Sequence, residues 1–163
     1  MSLKDRLRRQ LISARQTSEG FLADFETPEQ WLKQVHECAN HALWFAGHMG
    51  HSDNFFISII DPSLAKSDPR FSAKFGVGSQ PTHHPDDYPP IEEVLAYMRE
   101  RRAVLLKLLD GLSDADLGRA TPPETPEFLP DLGSVFEVAV WHEGLHSGQL
   151  SVTRRALGFQ PRQ

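Results

Sequence analysis

The stretch VFEVAVWHEGLHSGQLSVTRRAL, residues 135–157, is free of proline and largely apolar, and reads as one long helix that Gly158 stops. It sets His142 and His146 four residues apart, on one helix face, which is a metal-ligand spacing. The same face carries Val135, Val138, Ala139, Leu145, Gln149 and Ala156, so the pattern predicts that both rings turn into the protein. Two imidazoles leave a divalent ion short of ligands, and a third must come from elsewhere.

The pentapeptide His142-Glu143-Gly144-Leu145-His146 has the outline of a zincin peptidase, in which Glu143 would be the general base. The residues after His146 argue against that chemistry. The places where a metzincin carries Gly and a third His hold Gln149 and Val152, and residues 147–163 contain no Asp or Glu to complete a zincin of the other design. The third ligand therefore lies upstream. Glu143, ~100° around the helix from His142, stays the candidate general base, with an exposed or ligand-supporting carboxylate as the plainer alternative.

The upstream histidines are His36, His41, His48, His51, His83 and His84. His83 and His84 fall in a proline-rich loop. The segment from 31 to 60 is apolar around most of its circumference, as a helix buried in a bundle should be, and His41, His48 and Phe55 recur along it at seven-residue intervals. His48, with Trp44, Phe45 and Met49 close by, is the chosen third ligand. His41 and His51 are candidates to support or replace it, and Gln149 to orient a ligand.

Three neutral imidazoles buried without partners would cost ~1–3 kcal/mol each, and protonating them together would cost more, so the set reads as a ligand set rather than as core. Three protein ligands leave coordination positions open, which is the pattern of a reactive site. Imidazole suits zinc or nickel foremost here, with iron and copper as alternatives. An open position on such an ion activates water or a thiol.

Boundary chemistry places four helices. Ser2 and Asp5 form a capping-box-like start for the first, which spans 3–17 with a continuation toward 25. Thr27, Pro28 and Gln30 open the second, predicted to run unbroken to 60, before Pro62. The third covers 90–110 and stops at Gly111; the fourth comes after Pro130, with Ser134 and Glu137 as its cap pair. The expected fold is all-α, a four-helix bundle whose long crossover between helices 2 and 3 makes it up-down-down-up. That crossover, about thirty residues rich in Pro and Gly, has Phe71, Phe75 and Val77 to bury and is expected to cover the mouth of the metal site. The loop 121–130, with four prolines, is expected to be only a connector.

With 163 residues and 39% hydrophobic content, the chain suffices for one core and is short for two, so 1–163 reads as a single domain. A net charge of -5 supplies no field for a nucleic-acid backbone. Lys4, Arg6, Arg8, Arg9 and Arg15 alternate with leucines at helical spacing and read as a solvated face. No apolar run approaches the ~18 residues of a membrane span or resembles a secretory signal, which leads to a cytoplasmic expectation. The one cysteine, Cys38, is expected to be buried on the second helix.

The pieces ALWFAGHM around His48, EEVLAYMRERRAVLLKLLDGL, LSDADL and WHEGLHSGQLSVTRRALG, in that order, resemble the DinB-like superfamily of metal-binding four-helix proteins. The series His142, His146, Gly148, Gln149 is similar to the family's HxxxHxGQ signature, and the resemblance carries its three metal ligands over as His48, His142 and His146. It implies a divalent-metal site and an activity like that of the family's thiol-dependent transferases, in which a low-molecular-weight thiol or water attacks a small electrophile. It also implies a small-molecule substrate, a possible thiol cosubstrate and a possible homodimer. A non-catalytic metal-binding stress-response module is the alternative.

Overall fold

The computed structural model describes residues 1–162, and every regular element in them is helical. Four long helices, α1 (Leu3–Leu22), α3 (Ala42–Ile60), α5 (Ile91–Asp110) and α6 (Leu132–Ala156), are joined by two short ones, α2 (Pro28–Trp31) and α4 (Pro69–Phe75). α3 packs most extensively on α5 and also on α6, while α1 packs on α6 and α5, so each long helix has two long neighbours. No helix among the described residues is long and apolar enough to cross a membrane.

α1 begins with the expected capping box, Ser2 Oγ accepting from Asp5 N and the Asp5 carboxylate accepting from Ser2 N. It extends past 17 to Leu22 because Leu7, Leu11, Arg15, Ser18 and Leu22 recur at intervals of three and four and are all buried.

The expected second helix is broken. α2 ends at Trp31, turns come next, and α3 starts only at Ala42, with His41 as its N-cap: His41 Nδ1 accepts from Trp44 N at 3.0 Å. Polar side chains between the two helices satisfy the backbone better than a helix would. Gln34 Nε2 donates to the carbonyls of Glu37 and Ala39, and His36 Nδ1 accepts from Cys38 N. Cys38 sits in this turn and is exposed, not buried on a helix.

α6 starts earlier than expected. Asp131 is the cap and Ser134 its reciprocal partner, in place of the pair Ser134 and Glu137. Its buried side runs through Phe136, Ala139, Glu143, Ser147, Leu150 and Arg154, one helical step around from the expected stripe, and Leu145 is 47% exposed. The cause is a charged cluster that hydrophobicity cannot reveal. Arg15 donates through Nε to Glu143 Oε1 (2.7 Å), through Nη2 to Asp53 Oδ2 (3.0 Å) and through Nη1 to the Met98 carbonyl (2.8 Å). Arg102 donates to both oxygens of Asp53 and to the Leu11 carbonyl, and its Nη2 stands 2.7 Å from Glu143 Oε2, close enough for ionic attraction though outside hydrogen-bond alignment. Ser18 Oγ donates to Glu143 Oε1 at 2.5 Å.

These two arginines and two acids come one from each long helix, cancel in charge and are all at most 6% exposed. Burial alone would lower the Arg102 pKa; the neighbouring Asp53 and Glu143 outweigh it and hold the guanidinium above its ordinary value. Arg15 is thus a buried anchor, not a member of the solvated face. Replacing Glu143 with Leu leaves two buried guanidiniums facing one carboxylate, which should cost ~3–5 kcal/mol in urea unfolding. Glu143→Gln, which keeps the shape and one acceptor, should cost less.

Candidate metal centre

His48, His142 and His146 converge, each offering a ring nitrogen within 4.8 Å of the others. α3 supplies the first and α6 the other two, and the three rings tile one another at centroid distances of 5.0, 4.7 and 4.6 Å. His48 is 4% exposed, while His142 and His146 are half-buried.

The ring environments fix which nitrogens face inward. His48 Nδ1 lies 2.7 Å from the Phe75 carbonyl; an oxygen that can only accept requires Nδ1 to carry the proton, which leaves the Nε2 lone pair free. His146 Nδ1 donates to Gln149 Oε1 at 2.9 Å, and Asn40 Nδ2 donates to the same oxygen at 3.0 Å. The Nε2 atoms of His48 and His142 then face each other across 3.2 Å. Two lone pairs at that distance repel unless a proton or a cation lies between them. At a zinc–imidazole distance of ~2.0–2.1 Å, tetrahedral ligands are ~3.3 Å apart, so the His48–His142 pair already has the spacing such an ion needs, with His146 close by. Burial, reinforced by the neighbouring histidines, pushes the His48 ring down to about 3; burial first, then His146, pushes His142 down to about 4; burial also lowers His146. All three are therefore neutral at pH 7, as ligands must be.

The crossover holds this arrangement from outside. Phe75, at the end of α4, is fully buried and lies directly on Gly47: a Cβ at 47 would come within 2.3 Å of its ring. That close approach brings the Phe75 carbonyl to His48. Trp44 stacks on the other side of His48 (centroids 4.3 Å, 17° between planes) and is tied to the crossover by its Nε1, which donates to Ser79 Oγ. Phe45, by contrast, belongs to the core.

Other expected site residues fall elsewhere. His41 has both ring nitrogens engaged, one as the α3 cap and the other beside the Thr82 carbonyl at 3.0 Å, so it supports the crossover and not the ligands. Glu143 is not placed to act as general base: its carboxylate is 0% exposed and taken up by Arg15, Arg102 and Ser18. His51 lines a groove that opens beside His48 and His142. Val77 is 96% exposed on the groove's rim, and the second proline-rich loop is more than a connector, because Phe128 contributes another wall. Sequence reasoning had no signal for Asn40, which lies in the unforeseen break, or for Phe128.

Gly47→Ala should displace Phe75 and cost ~1–3 kcal/mol of stability. The pH dependence is set by the buried rings. Burial pushes His41 to about 4 and His48 to about 3, whereas both titrate near 6.5 in the unfolded chain. The unfolded state therefore binds more protons between those limits, and stability of the metal-free protein should fall as pH drops below 6.5, by ~1.4 kcal/mol per pH unit for each such ring. Thermal melts of chelator-treated protein measure it.

No curated protein matches this chain. A family model described as the DinB superfamily matches residues 10–150, a span that begins in α1, takes in His48 and the crossover, and ends in α6 beyond His146. The chain belongs to the DinB superfamily.

Proposed function

We propose that His48, His142 and His146 hold a divalent metal ion, zinc or nickel foremost, and that the protein is a metal-dependent enzyme bringing a low-molecular-weight thiol or water against a small electrophile. The observation that carries this is the convergence of three neutral imidazoles, with the Nε2 atoms of His48 and His142 facing each other at 3.2 Å and the Nδ1 proton of His48 directed to the Phe75 carbonyl. Bound there, such an ion would act as a Lewis acid that makes a thiol or water a usable nucleophile near neutral pH.

The chain's own contribution is orientation. The Phe75 carbonyl and the Gln149 amide oxygen each accept the outer proton of a ligand ring, which fixes the tautomer and strengthens the inner nitrogen as a donor. Three ligands without a fourth protein donor among the described residues favour a reactive site over a closed storage site. The groove beside His48 and His142, apolar over most of its lining, gives a reactant a place next to the histidines. No general base is assigned, since the only carboxylate of the motif is held in the ion network.

Protein purified without a nickel column should contain close to one equivalent of a single transition metal by mass spectrometric elemental analysis. His48→Ala, His142→Ala and His146→Ala should each lose it, and Gln149→Leu should weaken metal affinity by ~10–100-fold while leaving the fold intact. Full occupancy in His48→Ala would refute the ligand set.

A further inference from the structure

The groove that opens at His48 and His142 has a volume of about 310 Å³, at the small end of ligand-binding cavities, ~300–1,000 Å³. Its walls come from four separate segments: Phe55 and Phe56 on α3, Val138 and Trp141 on α6, and Val77 and Phe128 on two different loops. Several of these side chains are open to solvent, Trp141 at 63%, Phe128 at 64% and Phe55 at 41%. Single exposed apolar residues are ordinary, but large rings from separate segments around one concavity mark a binding surface. No Lys, Arg, Asp or Glu lines it.

Two polar side chains of the groove have no task in the fold. His51, half-buried, makes no hydrogen bond among the described residues, and neither does Ser52, which is 8% exposed. The rest of the lining is apolar apart from His48 and His142 themselves. His51 stands against the crossover at Gly76, so its ring is placed without being consumed. Burial lowers its pKa below the ordinary value, and a neutral ring offers one N–H and one lone pair.

We infer that this groove is the subsite for an uncharged reactant bearing a flat aromatic group, with one polar atom received by His51 or Ser52. The inference rests on the metal-enzyme reading for the reactant's position beside His48 and His142, but the groove itself does not need the ion. Aromatic walls on both sides favour a planar ring over a flexible chain, through stacked and edge-on contacts. Without the ion, a charged group would lose water here with no counter-charge in the lining.

The test uses the full chain, chelator-treated and separately reloaded with zinc, titrated with 2-naphthol, naphthalene and naphthalene-2-sulfonate while the indole N–H of Trp141 is followed by nuclear magnetic resonance. In the chelated protein, 2-naphthol and naphthalene should give saturable shifts, and the naphthol should bind ~2–10-fold tighter, as one neutral hydrogen bond allows. The sulfonate should give none. His51→Phe and Ser52→Ala made together should erase the naphthol's advantage and keep naphthalene binding; Phe128→Ala, on an exposed loop side chain that the fold does not need, should weaken both. Equal binding of the sulfonate, no saturable shift, or shifts that track protein concentration alone, as a second copy covering the groove would produce, would overturn the inference. Zinc uptake is measured on the same samples. Naphthol binding without zinc uptake overturns the metal reading alone, and zinc uptake without naphthol binding overturns the groove alone.

Discussion

The buried square of Arg15, Asp53, Arg102 and Glu143 is the constraint on which the rest of the molecule depends. Each long helix contributes one charge, so no helix can rotate or slide without stranding an ion in the interior. Hydrophobic packing by itself tolerates slippage, because one leucine is nearly as good as the next. A guanidinium that must meet two carboxylates and a main-chain carbonyl tolerates none. Such clusters contribute little net stability compared with well-packed apolar residues, and the registry they impose is their best use. Here that registry sets the rotation of α6 against α3, and therefore the relation of His142 and His146 to His48.

The orientation of α6 is a direct consequence. Glu143 turned into the square puts His142 on one flank, at the seam with α3, and Ser147 beneath it against Ser18 at 3.4 Å. Trp141 and Leu145 are carried to the solvent side. A single helix thus shows three faces: a charged anchor, a ligand edge and an apolar wall. The acid of the HEGLH sequence is turned into the ion square, away from the converging histidines and the groove. A carboxylate that is fully buried and faces two guanidiniums and a hydroxyl is closed off from any reactant.

How much of this could be read from the chain depended on whether a signal was local. The capping box at Ser2 and Asp5, the Pro28 start, the glycine after α5 and the four-residue histidine spacing are local, and the all-helical class and the histidine convergence were legible from them. The break between α2 and α3 was not, because Gln34, His36 and His41 end and restart the helix by bonding backbone groups, and in a hydropathy pattern they look like ordinary helix residues. Arg15 and Glu143 were misplaced for a different reason. A charge reads as surface until its partners are known, and those partners lie on other helices, 38 and 128 residues away from Arg15. The HxxxHxGQ resemblance reached the three converging histidines without needing that information.

The crossover shows how a loop can be as exacting as a helix. Phe75 is fixed by its own burial and by the absence of a side chain at Gly47, and from that position its carbonyl dictates the tautomer of His48. The next residues, Gly76 and Val77, reach His51 and the groove rim, and Ser79 then holds the indole that stacks on His48. Four consecutive or near-consecutive positions therefore reach the His48 ring, its stacking partner and the groove. A change in the crossover would alter the basicity of one imidazole and the shape of the groove together. The same coupling ties the packing of the loop to the histidine cluster and the groove at once.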